Sequence, residues 1–415
     1  MKRKDASMTP TWLEQGHVTI PAGWRAGVAA CGIKYTGRDD LALLVSDTPC
    51  TVAAMFTTNK VQSAHIHYDR AVLSRNTSAI RGVLINSGSA NACTGEAGVA
   101  NAQALARATE ETLGLSPDSV LVMSTGVIGL PLVVEQIRPG IERAAQHLHH
   151  EENSIAAAKA IMTTDTYPKH CAVQVVLSNG KPVHIGGVAK GSGMIHPNMA
   201  TMLCTLTTDA AVTPDALNAA LHYAANHSFH CISVDGDTST NDTMVLLANG
   251  QAGNAPIGDI VSPDGQAFLA GVLKVCQRLA QEVARDGEGA SRLVTITVQG
   301  AHDNADAHRA AMAVARSPLV KTALFGADPN WGRIVCALGY SGAELDPERL
   351  SLSFGTMKVF ENGVPLPMDE QAAHALLDAP DVQITAHLGM GSGAATVWTC
   401  DFSYDYVKIN AEYRS

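Results

Sequence analysis

Apolar residues recur along this chain with two periods, two residues and about 3.6, and the switches between them mark its elements. GVLINSG (82–88) predicts a buried strand entering a polar glycine loop, and VLVMSTGVIG (120–129) a second strand that breaks at Ser-Thr-Gly. NAQALARATEETLGL has helical spacing with a glycine near its end, and VVEQIRPGIERAAQHL predicts a helix interrupted at Pro139. CAVQVVLSNGKPVHIGGVA alternates around Asn-Gly, the pattern of a hairpin. After residue 201 the reading begins again. LCTLTTDAAV is strand-like, PDALNAALHYAANHS helical, and CISVDGDTST runs into a polar loop. DGQAFLAGVLKVCQRLAQEVARDG predicts a long helix stopped by glycine. LVTITVQGA is a strand, LSLSFGTMKVFENGVPL a hairpin turning at Asn-Gly, and DVQITAHLG and AATVWTCDFSYDYVKI are the last two strands. Both halves mix sheet and helix, and the hairpins make the sheet largely antiparallel. The expectation is a layered α/β protein, helices outside and sheets within.

Composition narrows the class. Hydrophobic residues make up 46% of 415 and charged residues only 16%, the profile of a compact protein with large buried faces. The net charge of −10, with no basic block beyond the opening KRK, argues against nucleic acid as a partner. Acidic metabolites stay within reach, because local cationic groups bind them whatever the total charge. The nine cysteines are scattered, form no C-x-x-C pair and fall mostly in apolar runs such as WGRIVCALG. That usage predicts buried free thiols in a reducing compartment rather than disulfides or zinc. MKRKDASMTPTW lacks the apolar continuation of a secretory signal, and no run is long enough to span a membrane. A cytoplasmic protein is expected.

One segment stands out: AKGSGMIHPNMATMLCTLTTDA, residues 189–210, sets a flexible glycine stretch directly before Thr201 and a strand-like run. A threonine hydroxyl is a weak nucleophile that needs a base. Its own α-amino group, with a reference pKa of about 7.7–8.0, supplies one once it is free. Attack by the hydroxyl on the preceding carbonyl gives an ester whose hydrolysis would release it. On residue chemistry alone the segment reads first as a glycine turn before a strand that happens to open with threonine. Elsewhere, Thr125 and Gly126 offer a hydroxyl and an N–H where an apolar strand breaks, two donors of the kind an oxyanion needs. Lys190 could bind a carboxylate and, by charge repulsion, favour the amine form of Thr201. Glu288, between glycines in DGEGASRL, could hold an ammonium group or assist proton transfer.

KGSGMIHPNMATML closely resembles the cleavage motif of the ornithine acetyltransferase family, the glutamate N-acetyltransferases of arginine biosynthesis. The resemblance runs in order through GVAACGIK, FTTNKVQSA, NSGSANACTG, MSTGVIG, AIMTTDTYPK, DGDTSTND, DGEGASRL, DPNWGRI and the final NAEYRS, nearly the whole chain. It implies an N-terminal-nucleophile-like αββα sandwich, of the type shared with L-aminopeptidase/D-esterases, and a smaller C-terminal α/β region. It also implies cleavage between Ala200 and Thr201 into chains 1–200 and 201–415 that assemble as an α2β2 heterotetramer. Thr201 would then carry acetyl from N-acetylornithine to glutamate in a ping-pong exchange needing no metal or cofactor. Some members of that family also accept acetyl-CoA, and the motifs leave open whether this chain does.

The same resemblance assigns Thr125 and Gly126 to the oxyanion hole. It assigns Thr163, Thr164, Lys190, Thr201, Glu288, Asn410 and Ser415 to substrate, without choosing between the adjacent threonines. Ser89 stands where the family pattern expects Asn, and Cys31 is an extra small residue; both leave room for a paralogue acting on related N-acyl amino acids. The remaining alternatives are an amidohydrolase of the same architecture and a non-catalytic binding protein. DGDTSTND starts like a calcium loop but has Thr240 where glycine belongs and Leu246 where the closing glutamate belongs, so it reads as a structural polar loop. His147, His149 and His150 lack matching ligands and read as a solvated helix end. The spaced glycines of LGMGSGAATVW lie between strands, the wrong context for a dinucleotide.

Overall fold

The computed structural model describes residues 9–149, 152–196 and 202–412. These form two compact units. The first holds 1–191, 198–230 and 238–279; the second holds 192–197, 231–237 and 280–415.

The first unit is built on a nine-stranded sheet. Its order is Thr11–Trp12, Lys169–Val176, Pro182–Lys190, Leu203–Thr208, Thr243–Ala248, Leu41–Phe56, Ile80–Asn86 and Val120–Ser124. Leu41–Phe56 is long enough to serve two sets of neighbours. Its first half pairs with both Trp24–Ala29 and Ile80–Asn86, and its second half with Thr243–Ala248. The register shifts between Val45 and Cys50, so one strand carries the sheet round a bend. In one core cluster Val188, Leu203, Val245 and Leu247 meet Val83, Ile85, Val122 and Met123; in a second, Leu41, Leu43, Leu84 and Val120 meet Leu105, Ile137 and Ile141 of the helices.

Helices cover the sheet where their apolar faces meet it. Gly95–Leu113 buries Ala102, Leu105 and Ala106 and ends at Gly114 in the left-handed conformation, as its sequence predicts. Over Pro182–Lys190 the helix Pro263–Arg285 approaches closely because Gly187 has no side chain. A Cβ there would lie 2.7 Å from Val275 and 2.8 Å from Leu279.

The second unit carries a seven-stranded sheet: Val364–Pro365, Met357–Glu361, Ser351–Phe354, Asp381–His387, Leu293–Ala301, Gly393–Cys400 and Ile232–Ser233. Ten of the fourteen strand pairings in the two sheets are antiparallel, in keeping with the mixed α/β architecture expected.

Four local expectations need correction. The helix Val134–Gln146 runs through Pro139 without a break. Proline there removes one N–H near the N-terminal end, and burial of Ile137, Ile141 and Ala144 outweighs that loss. The hairpin near residue 355 turns first at Gly355, φ +53°, between Ser351–Phe354 and Met357–Glu361. Asn362 and Gly363 close a second, two-residue arm. The last predicted strand stops at Cys400, and Tyr404–Ala411 is a helix capped by Ser403, whose side chain accepts from Asp405 and Tyr406 N–H. Cys93 and Cys336 are exposed, not buried: Cys93 sits in the loop ahead of Gly95–Leu113, and Cys336 lies in the helix Trp331–Gly339, which turns Ile334, Ala337 and Leu338 inward instead.

Candidate active site

In the first unit the strand Leu203–Thr208 runs antiparallel to Pro182–Lys190 and parallel to Thr243–Ala248. The two registers place Lys190 and Thr243 on either side of Leu203. The polar groups around this end of the strand come from four distant parts of the sequence. Ala200 and Thr201, two residues ahead of Leu203 and beyond, lie outside the described residues, as does Ser415.

Lys190 is no surface lysine: it is 2% exposed, and its Nζ donates to Thr163 Oγ1 at 2.8 Å. Of the two adjacent threonines, Thr163 is thus joined to Lys190. Asp165 stands 3.9 Å from Lys190 Nζ and accepts from Lys169 Nζ at 2.7 Å, Gly191 N–H at 2.7 Å and Thr163 N–H at 3.0 Å. Burial by itself would raise this carboxyl, but the charges of Lys190 and Lys169 and the donated hydrogen bonds hold it well below the usual carboxylate range. Lys190 is thus fixed in place and partly neutralised, which weakens the charge repulsion expected of it.

The turn after Val120–Ser124 is pressed against the loop after Ile80–Asn86. Thr125 N–H donates to Asn86 O at 3.0 Å and Val127 N–H to Gly88 O at 3.1 Å. Gly126 lies between them at φ +132°, and among the described residues its N–H has no hydrogen-bond partner. The hydroxyl of Thr125, a residue only 2% exposed, likewise has no partner among the described residues. Two donors are left uncommitted at a turn in which Thr125 is buried and Gly126 half-buried. A Cβ on Gly126 would stand 2.5 Å from Gly88 O and 2.7 Å from Ser89 N. Gly126→Ala is therefore expected to lower stability by roughly 2–4 kcal/mol, read as a shifted denaturation midpoint, since strain and overpacking both apply. Ser89, the departure from the family pattern, pairs with Thr125 and donates to Leu130 O at 2.6 Å, so it shapes this turn directly.

DGDTSTND does more than the polar loop expected of it. Asn241 Nδ2 donates to Ser124 O at 2.7 Å and Ala90 O at 2.5 Å, tying the loop to the Thr125 turn. The fully buried Asp242 accepts from Met202 N–H at 3.2 Å. Its Oδ2 has no partner among the described residues. Burial pushes its carboxyl well above the ordinary range, although Ser239, Thr57, Met202 N–H and Lys190 favour the charged form. Sequence reading passed over both residues. The available signal was an acid placed directly before TMVLLA, a strand buried at every position.

In the second unit Glu288 is 6% exposed, not a solvated loop residue. Its Oε2 accepts from Asn410 Nδ2 at 2.8 Å, and its N–H donates to Ser192 O at 2.8 Å. Gly193 faces its carboxylate so closely that any side chain there would collide with it. Asp235 accepts from Met194 N–H at 2.5 Å and Ile195 N–H at 2.9 Å, and burial pushes its carboxyl up to about 6.

Comparison with known proteins places relatives beside these features. The model of the ArgJ family matches residues 25–415. The arginine biosynthesis bifunctional protein ArgJ of Symbiobacterium thermophilum is 49% identical over 406 residues, covering 97% of this chain and 100% of the relative. The mitochondrial ArgJ of Heterostelium pallidum is 45% identical over 414 residues, covering 95% and 94%. A solved Mycobacterium tuberculosis ornithine acetyltransferase complexed with ornithine is 36% identical, covering 47% of this chain and 100% of that one, with a TM-score of 0.42.

Proposed function

Because the chain belongs to the ArgJ family, matched over residues 25–415, we propose that it is an acetyltransferase of arginine biosynthesis that moves acetyl from N-acetylornithine to glutamate through Thr201. The observation that carries this reading is the pair of donors at Thr125 and Gly126 that have no partner among the described residues, tied through Asn241 to the strand Thr243–Ala248, which pairs with Leu203–Thr208. An acyl-transfer site must offer donors to the oxyanion and leave them empty in the resting state.

The chain first cleaves itself between Ala200 and Thr201. The hydroxyl of Thr201 then attacks the acetyl carbonyl of N-acetylornithine while its freed amine takes the proton. Thr125 and Gly126 receive the charge that develops on the carbonyl oxygen. The C–N bond breaks, the proton passes to the leaving amine, and ornithine departs. Glutamate attacks the acetyl ester by the same steps in reverse. Lys190, fixed by Thr163 and Asp165, offers a cation for a substrate carboxylate, and Glu288, steered by Asn410, a carboxylate for a substrate ammonium.

The cleaved halves stay joined because they share one sheet. Leu203–Thr208 and Thr243–Ala248, both from 201–415, sit between Pro182–Lys190 and Leu41–Phe56, both from 1–200. An α2β2 heterotetramer remains part of the proposal.

Denaturing mass spectrometry with N-terminal sequencing tests the first step. Two fragments of roughly 21 and 22 kDa by residue count, one beginning TMLCTLTT, support it; a single 43.4 kDa chain refutes it. Product analysis tests the second. Acetyl recovered on glutamate supports the transferase, acetate released regardless of glutamate would favour an amidohydrolase, and charging of Thr201 by acetyl-CoA reads out in the same assay. Thr125→Val, which keeps the volume and loses the hydroxyl, is expected to cut kcat by about 10²–10³ with KM little changed. Steady-state kinetics on the cleaved variant checks it.

A further inference from the structure

The side chain of His65 takes no part in the transfer steps above, yet it stands behind both groups that hold the Thr125 turn. Asn241 Nδ2 grips the turn on one side, donating to Ser124 O at 2.7 Å, and Ala90 N–H grips it on the other, donating to Val127 O at 3.0 Å. The two grips meet directly, since Asn241 Nδ2 also donates to Ala90 O. They meet a second time through the helix Ala64–Leu73. Ser63, its N-cap, donates from Oγ to Ala90 O at 2.8 Å and stands 2.8 Å from His65 Nδ1. His65 Nε2 stands 3.0 Å from Thr243 Oγ1, which donates to Asn241 O at 3.0 Å. Ser63, Ala90, Asn241, Thr243 and His65 thus close one ring of hydrogen bonds in the first unit, and Ser63, His65 and Thr243 are fully buried.

Burial pushes the imidazole down to about 3, so at neutral pH it is uncharged and carries a single N–H. The Thr243 hydroxyl is committed to Asn241 O, so its oxygen accepts from His65 Nε2–H. Nδ1 then accepts from Ser63, whose one hydrogen is shared between Nδ1 and Ala90 O. An aliphatic side chain would fill the same space without the cost of desolvating two ring nitrogens. What the imidazole adds is a rigid span. It joins Ser63, beside the Ala90 loop, to Thr243, at the start of the strand Thr243–Ala248.

We propose that His65 is a positioning residue for the oxyanion donors, fixing Ala90 and Asn241 against each other so that Thr125 and Gly126 keep their aim. The inference rests on the reading of those two residues as the oxyanion donors. His65 touches no reacting atom and exchanges no proton with substrate. Its effect runs through the two grips at Ser124 O and Val127 O. Oxyanion donors meet charge that develops only in the transition state, so a loosened turn costs rate and spares ground-state binding.

The test uses the full chain. His65→Leu keeps most of the volume and removes both ring bonds. Transfer of acetyl from N-acetylornithine to glutamate should fall about 10- to 100-fold in kcat, with KM little changed. His65→Gln, whose amide reaches the Nε2 position and still donates to Thr243, should recover part of that loss. His65→Leu combined with Thr243→Val replaces both partners by apolar groups, which leaves no buried donor bare and keeps a folded protein in hand. It should show the same fall in kcat. In the Thr125→Val background the His65→Leu loss should shrink, because the hydroxyl that the ring aims is already gone. The assignment is overturned by a wild-type kcat in the double variant, by no recovery in His65→Gln, by a loss carried by KM, or by an equal factor in both backgrounds. If Thr125→Val itself turns over at the wild-type rate, the oxyanion reading fails and takes this inference with it. If Thr125→Val is slow and the His65 variants are not, His65 alone is struck out.

Discussion

Thr201→Ala is expected to leave a single 43.4 kDa chain that exchanges no acetyl, a loss of at least about 10³-fold in rate. The reason lies in having one residue supply nucleophile and base. Without the hydroxyl nothing attacks the Ala200 carbonyl, so the amine that would serve as base is never freed, and the two functions fail together. Thr201→Ser keeps the hydroxyl and should still yield two fragments, with exchange reduced and not abolished. Mass spectrometry and an exchange assay on both variants check the pair. Full turnover by the alanine variant would remove Thr201 from the mechanism and return the segment to a glycine turn before a strand.

Asp165→Ala is expected to be the most destabilising single change near the site, at about 3–5 kcal/mol. It removes the carboxylate shared by the buried side chains of Lys169 and Lys190. Two ammonium groups would remain in low-dielectric surroundings without it. The wild type should show the linked acid dependence. Asp165 is held below its unfolded value, so its contribution is complete above about pH 4 and is lost as pH falls toward the folded value. Denaturant titrations of wild type and variant at pH 7 and near pH 3 test both parts. The gap between them should narrow in acid, and a gap independent of pH would show that packing, not the ion pairs, sets the cost.

The hairpin Lys169–Val176 and Pro182–Lys190 was legible because a period of two and an Asn-Gly turn are local signals. Val176 pairs with Pro182, and Gly180 takes φ +82° as that reading requires. The helix Gly95–Leu113 was legible for the same reason, through its spacing and its terminal glycine. Tyr404–Ala411 was not. Its short apolar run fits either period, and the Ser403 cap that decides for helix lies in a stretch read as strand.

The candidate site divides along the same line. Thr201, Thr125, Gly126, Lys190 and Glu288 are candidates proposed from residue chemistry together with a resemblance spread over the chain. Asp165, Asn241 and Asp242 are not among them, because their meaning lies in what they touch across long separations. Asp165 meets Lys190 across 25 residues, and Asn241 meets Ser124 across 117.

The sequence by itself determined the alternation of strands and helices and the hairpins, since each is written in neighbours a few positions apart. The tertiary structure alone decided that Lys190 is buried and locked to Thr163, that the Gly126 N–H has no partner among the described residues, and that an acid stands beside Met202. Those outcomes depend on the register between strands remote in sequence. Register fixes which side chains meet and which lose their water, and in this chain it brings a buried lysine and a buried carboxyl around one strand end.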